Sequence, residues 1–354
     1  MLINDRQMRF QAIQILRFFC AMGVVLYHSI AQVREHQAPG WSEVPWSQLA
    51  NIGVLFFFAI SGFVLTHALK KESVGRYLLL RVLRIYPPFF LAILLISAFR
   101  FAYGSLGQLP ELPLTYLLLI PGAPGPSGYV LGGIEWTLKH EVFYYVLLAL
   151  LWLVRSENFV KIALGIWAGA IIAFTVHAPG AATQAFPDPK YFVFSSTHLA
   201  LIGGAFSYFY RDRIRLTYGA FTAAMILLFG AYEFFLHTEA KYACVTIAAV
   251  LLLARLSQLH LDESRPVLRT LIAFGDGSYG LYLLHMSVLL IIVANLAYQQ
   301  YPAWFSVLVS LVVATTAGLV FGTLEYRWYR WIQRTLPSQR RVAMVAAPSA
   351  GVES

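Results

Sequence analysis

Charge is what this sequence has least of. Only 12% of its 354 residues are Asp, Glu, Lys or Arg, against roughly 25% in an ordinary soluble domain. A chain so short of charge and 59% hydrophobic has too little polar surface to face water on all sides, which excludes a soluble globular enzyme. Cysteine is nearly absent too. Cys20 and Cys244 both fall inside apolar runs, so neither a disulfide framework nor a cysteine-based metal site is offered, and the redox compartment stays open. A cleavable signal peptide is not read at the start, because the first apolar run continues past the length of an h-region and has no small-residue cleavage site. The first helix is therefore expected to stay in the protein. The longest loop, about residues 102–136, is rich in Gly and Pro and leaves no room for a second folded domain. No internal repeat of the kind that marks many secondary transporters is visible.

Long apolar runs are what the chain has instead. A hydrocarbon core of about 30 Å takes about 20 mostly apolar residues per crossing. Ten runs approach that length, near 11–33, 51–69, 80–101, 137–154, 159–177, 193–210, 217–236, 242–257, 275–297 and 303–324. The expected fold class is all-α, a polytopic integral membrane bundle of about ten transmembrane helices over residues 1–336. The remainder, 337–354, is expected to be a disordered cytoplasmic tail. The apolar stretch 112–121 is too brief and too Pro-flanked to span, and is expected to lie in the interface or re-enter. With the N-terminus inside, twenty-one Lys and Arg residues fall on the inner side and five on the outer. That bias predicts both termini in the cytoplasm of a cell inner (plasma) membrane protein. The net charge of +9 is then accounted for by topology and an anionic inner leaflet. Nucleic-acid binding is excluded as a reading, since no soluble domain carries a basic cluster.

Ionisable groups inside such runs are costly and point to function by default, although packing and interface anchoring are the plain alternative for each. Arg17 and His28 in QILRFFCAMGVVLYHS are eleven residues apart, about 1100° of helical turn and roughly 16 Å of rise, so they share one stripe. A neutral imidazole at the outer end of that stripe suits a general base taking a proton from a hydroxyl; the plain reading is a packing His and a snorkelling Arg. Arg81 and Arg84, in RVLRIYPPFF, share a face at i and i+3. Guanidinium groups so placed match phosphate oxygens, or merely anchor the helix inside. Glu141 lies in WTLKHEVFYY, where a buried carboxyl must be paired or neutral, with Lys139 and His140 as nearby partners. His285 follows FGDGSYGLYLL, near Ser278, Tyr279 and Tyr282, and chemistry and helix packing are both open for it. His67 and His198 carry no companion pattern and read as structural. Gly53, Ser61 and Gly62 in GVLFFFAISGF read as small residues for tight packing.

Taken in order, these segments resemble the membrane acyltransferase-3 family. Arg17 and His28 stand as its first-helix Arg and His with ten residues between. Phe57 to Phe63 stand as its FFxxSGF, and Arg81, Arg84, Tyr86 and Pro87 as its RxxR before an aromatic and Pro. Trp136, Glu141, Phe143 and Tyr144 match its tryptophan-led acidic segment, and Ser278, Tyr279, Tyr282 and His285 its SYxLYLxH. The opening IQILRFFCAMGVVLYH looks most like the branch that decorates exopolysaccharide. The resemblance implies an O-acyltransferase with no bound cofactor and no metal, which takes acetyl-CoA or another acyl-CoA as donor and a carbohydrate as acceptor, an exopolysaccharide, O-antigen or lipid-linked sugar. It further implies that His28, Arg17 and Glu141 are catalytic and that Arg81, Arg84, Tyr279 and His285 bind the donor. Some relatives append a soluble SGNH-type domain, which is not seen here. Transfer is therefore expected to finish in the membrane unit or on a separate partner. A transporter or flippase would also line a path with buried charge, and a scaffold for a polysaccharide synthase would share the topology. Neither accounts for the combined motifs.

Overall fold

The structure, a computed structural model, describes residues 10–41, 48–102, 112–121, 130–178, 189–235, 238 and 240–336. The expected tail at 337–354, and Arg6, Arg9, Arg340 and Arg341 of the charge count, lie outside them. Helices make up the chain: α1 (Gln11–His36), α2 (Gln48–Lys71), α3 (Val74–Ala102), the single turn α4 (Leu114–Leu117), α5 (Glu135–Trp152), α6 (Glu157–His177), α7 (Thr197–Tyr210), α8 (Tyr218–Phe234), α9 (Ala240–Leu256), α10 (Pro266–Asp276), α11 (Ser278–Tyr298) and α12 (Ala303–Thr335). A 3-10 turn, Pro189–Phe194, leads into α7. No strand occurs among the described residues.

Each of the ten apolar runs falls on helix, and among the described residues seven helices are by length and composition able to cross a membrane, so the expected ten is approximate. These are α1, α2, α3, α6, α7 with its 3-10 lead-in, α11 and α12. The other three stand apart for identifiable reasons. At 17 residues each, α8 and α9 sit at the short limit of a crossing, and α5 carries Glu135, Lys139 and Glu141 in 18 residues. The expected ninth run, 275–297, is also divided. Its first residues close α10, which opens with Pro266 at the position where a missing N–H does no harm, and α11 starts only after Gly277. The 112–121 stretch folds back on the bundle, with Tyr116 and Leu119 buried and the Tyr86 hydroxyl donating to the Leu118 carbonyl at 2.8 Å.

At the centre α1 packs against α2, α10, α11 and α12, while α2 also meets α7, α9 and α5. Glycine sets the tightest of these crossings. A Cβ on Gly62 would lie 1.9 Å from the Leu201 carbonyl oxygen, and one on Gly204 1.8 Å from that of Ala59, so α2 and α7 touch backbone to backbone and no side chain fits between them. The α11/α12 crossing is closed in the same way by Gly280 and Gly322. The periphery is apolar and exposed, as Leu94, Ile166, Val176, Leu227 and Phe229 show; lipid is the solvent such a surface fits.

Candidate active site

Six helices bring their ionisable and hydroxyl side chains to one interior region. Arg17 comes from α1, Ser61 from α2, Arg81 and Arg84 from α3, Glu141 from α5, Tyr279 and Tyr282 from α11, and Glu325 from α12. Pro87 and Pro88 lie inside α3 just past the two arginines, and with no N–H of their own they leave the carbonyls of Leu83 and Arg84 without helical donors.

Two cavities meet there. One, with about 490 Å³ of space free of atoms, is lined by Arg17, Ile60, Ser61, Val64, Leu65, Arg81, Arg84, Ile85, Glu141, Tyr145 and Tyr279. The second, about 470 Å³, is lined by Arg17, Val54, Phe57, Phe58, Ser61, Thr137, Leu138, Glu141, Tyr279 and Tyr282. Arg17, Ser61, Glu141 and Tyr279 belong to both walls and form the seam between a guanidinium-lined chamber and an aromatic one. At the seam the Ser61 hydroxyl donates to Glu141 Oε1 at 2.6 Å, Arg17 donates to Gln14 Oε1 at 3.2 Å, and the Tyr279 hydroxyl donates to the Ile85 carbonyl at 3.3 Å.

The two arginines of the first chamber are held differently. Arg84 forms an ion pair with Glu325, and its guanidinium carbon lies 5.1 Å from the Tyr279 ring centre and 5.2 Å from that of Tyr329. Arg81 lies 5.6 Å over the Tyr77 ring, and its buried Nε has no hydrogen-bond partner among the described residues. A buried donor without an acceptor is costly to leave unmade.

His28 and His285 pair with each other, their ring centres 5.4 Å apart. Neither lines the two cavities; they stand beyond Tyr282, whose ring is 5.5 Å from that of His285. His285 is therefore beside His28 and separate from the arginines. Its Nδ1 lies 2.6 Å from the Tyr282 carbonyl, which can only accept, so Nδ1 carries the proton and Nε2 a lone pair. That Nε2 is buried without a partner among the described residues. On the wall of the second chamber Thr137 donates to the Ile134 carbonyl and receives the Tyr282 hydroxyl at 2.9 Å.

Other expected partners go elsewhere. One residue from Glu141 along α5, about 100° of turn, His140 faces away: it bonds the Trp136 carbonyl and packs 4.9 Å from His198 inside Phe143, Trp167 and Phe192. Lys139 lies within electrostatic reach of Glu135, whose carboxylate also receives the Tyr116 hydroxyl and the Leu131 N–H. His67 meets Tyr208 at 3.3 Å. Among the described residues no group of three or more His, Cys, Asp or Glu is placed to hold a metal ion. Sequence reasoning missed Ser61, grouped with the packing glycines, and Glu325, at the end of an apolar run. The rule that an intramembrane acid needs a cation would have flagged the latter.

A family model described as an acyltransferase domain, that of the acyltransferase-3 family, matches residues 10–323. No curated protein and no solved structure matches the chain. That one match runs from the start of α1 into α12 and takes in every residue of both cavities, with Glu325 just past its end. The chain belongs to the acyltransferase-3 family and is a multi-pass membrane acyltransferase.

Proposed function

We propose that this protein moves an acyl group, acetyl in the simplest case, from cytoplasmic acyl-CoA to a hydroxyl of a carbohydrate that is lipid-linked or outside the inner (plasma) membrane, with both chain termini in the cytoplasm. The donor carries phosphates that hydrocarbon excludes, and the acceptor lies across the bilayer, so something must conduct the acyl group between them. The observation that carries this reading is the pair of cavities joined at Arg17, Ser61, Glu141 and Tyr279. Arg81 and Arg84 hold the donor's phosphates by charge-assisted hydrogen bonds, with Tyr279 beside them. The thioester then reaches the seam, and beyond Tyr282 the His28 and His285 imidazoles serve the acceptor, His28 as general base on the sugar hydroxyl or as acyl carrier. Arg17 and Glu141 position the reacting groups at the seam.

The test is transfer from radiolabelled acetyl-CoA in proteoliposomes of the purified protein with a glycan extract, followed by mass spectrometry of the glycan. Label in ester linkage on carbohydrate is expected. Movement of glycan across the bilayer with no consumption of thioester would instead make the protein a transporter.

A further inference from the structure

We propose that Ser61 is an acyl-carrying nucleophile, loaded in the arginine chamber and unloaded in the aromatic one; the inference rests on the acyl-transfer reading above. Four residues belong to both cavities, and only two of them bear a hydroxyl, Ser61 and Tyr279. The Tyr279 proton is committed to the backbone carbonyl of Ile85. Thr137 lines the second chamber alone, with its proton committed to the Ile134 carbonyl. Ser61 differs from both in donating to a carboxylate, Glu141 Oε1, at 2.6 Å and from a different helix. A hydroxyl whose proton already points at a carboxyl oxygen is the arrangement of an activated nucleophile. Its position does not drift, because the next residue, Gly62, is locked against the Leu201 carbonyl. Arg17 lines both chambers as well and supplies the cation that a developing oxyanion needs.

The chemistry balances with the donor alone. Ser61 Oγ adds to the thioester carbonyl, a C–O bond forms and the hydroxyl proton passes to Glu141. The tetrahedral oxyanion faces Arg17. Collapse breaks the C–S bond, the thiolate of CoA takes the proton from Glu141, and an ester on Ser61 remains. The acceptor hydroxyl then adds to that ester; its proton, removed by the imidazole base, ends on Ser61 Oγ as the bond between the acyl carbon and Oγ breaks and the new sugar ester is released. The CoA phosphates never leave the arginines during this sequence, which is what separates a carrier at the seam from direct transfer to a distant hydroxyl.

The test uses the full-length protein in proteoliposomes with radiolabelled acetyl-CoA and, separately, radiolabelled succinyl-CoA, first without any acceptor and quenched in acid. Wild type is expected to release CoA thiol in a burst equal to the enzyme present and to retain label on the peptide containing Ser61. Ser61→Cys is expected to carry the label as a thioester cleaved by hydroxylamine. Ser61→Ala is expected to bind CoA with unchanged affinity, to carry no label, and to transfer at least about 100-fold more slowly to a glycan extract, the scale on which positioned proton-transfer groups act. Label on His28, or Ser61→Ala transferring at the wild-type rate, overturns the proposal and leaves the acyl-transfer reading standing. If wild type consumes neither thioester with or without glycan, both fall together.

Discussion

Arg84 cannot be studied alone, because its guanidinium is the partner of Glu325. Removing one member of a buried ion pair strands the other and costs on the order of 3–5 kcal/mol. Arg84→Ala is therefore expected to accumulate poorly in membranes, while Arg84→Ala combined with Glu325→Gln recovers normal levels. The double variant is expected to raise the donor KM by roughly 10-fold, the scale of one lost charge-assisted bond; a KM equal to wild type would end the phosphate role of Arg84. At the other end of the site, His28→Ala is expected to insert normally and lose at least about 100-fold in transfer. Full activity in that variant would remove His28 as base and leave its partner His285, whose Nε2 is the unpartnered nitrogen. The stripe from Arg17 to His28 was legible from spacing, since helical geometry alone puts them on one face. That His28 would meet His285, 257 positions further along the chain, was not, because contact between distant helices has no period in the sequence.

Among the helices, the α2/α7 crossing holds Ser61 against Glu141. With Gly62 and Gly204 each facing a backbone carbonyl, a larger residue forces the helices apart. Gly204→Val is expected to lower stability by the upper end of the about 1–3 kcal/mol that overpacking costs, read as a drop in thermal midpoint in detergent, with transfer falling alongside. If midpoint and activity both match wild type, the crossing does not set the site. Gly165 and Gly169 on α6 meet nothing within 4 Å, and Gly169→Ala serves as the control that is expected to be neutral. The sequence marked Gly62 as a packing position but could not separate it from Ser61 beside it, since adjacent residues of a helix point about 100° apart. For the same reason Glu141 found Ser61 while His140 turned to His198. Hydropathy located every long helix yet misplaced the start of α11, because a break at Gly277 between two apolar helices leaves no trace in an averaged window.

Over the molecule as a whole, one end gathers basic and polar contacts. Lys70 and Lys161 both pair with Glu157, at 2.5 and 2.6 Å, Gln258 bonds the Arg211 carbonyl at 2.7 Å, and Gln11 accepts from the Leu261 N–H at 3.1 Å. On the proposed topology that end faces the cytoplasm. Cysteine placed at Arg213, in a protein whose Cys20 and Cys244 are replaced by Ala, is expected to react with a membrane-impermeant maleimide in inside-out vesicles and not in intact cells. Labelling in intact cells would invert the topology and with it the donor side. By itself the sequence determined the membrane class, the approximate places of the long apolar helices and the acyltransferase-3 family, because burial in lipid leaves its signature in composition and the motifs are local. Only the tertiary structure decided that Arg17, Ser61, Glu141 and Tyr279 form the seam of two chambers, that Arg84 is held by Glu325, and that the two imidazoles stand together beyond Tyr282. Those are outcomes of how helices far apart in sequence cross, with close glycine contacts at the α2/α7 and α11/α12 crossings, and no single run of residues encodes contacts between distant helices.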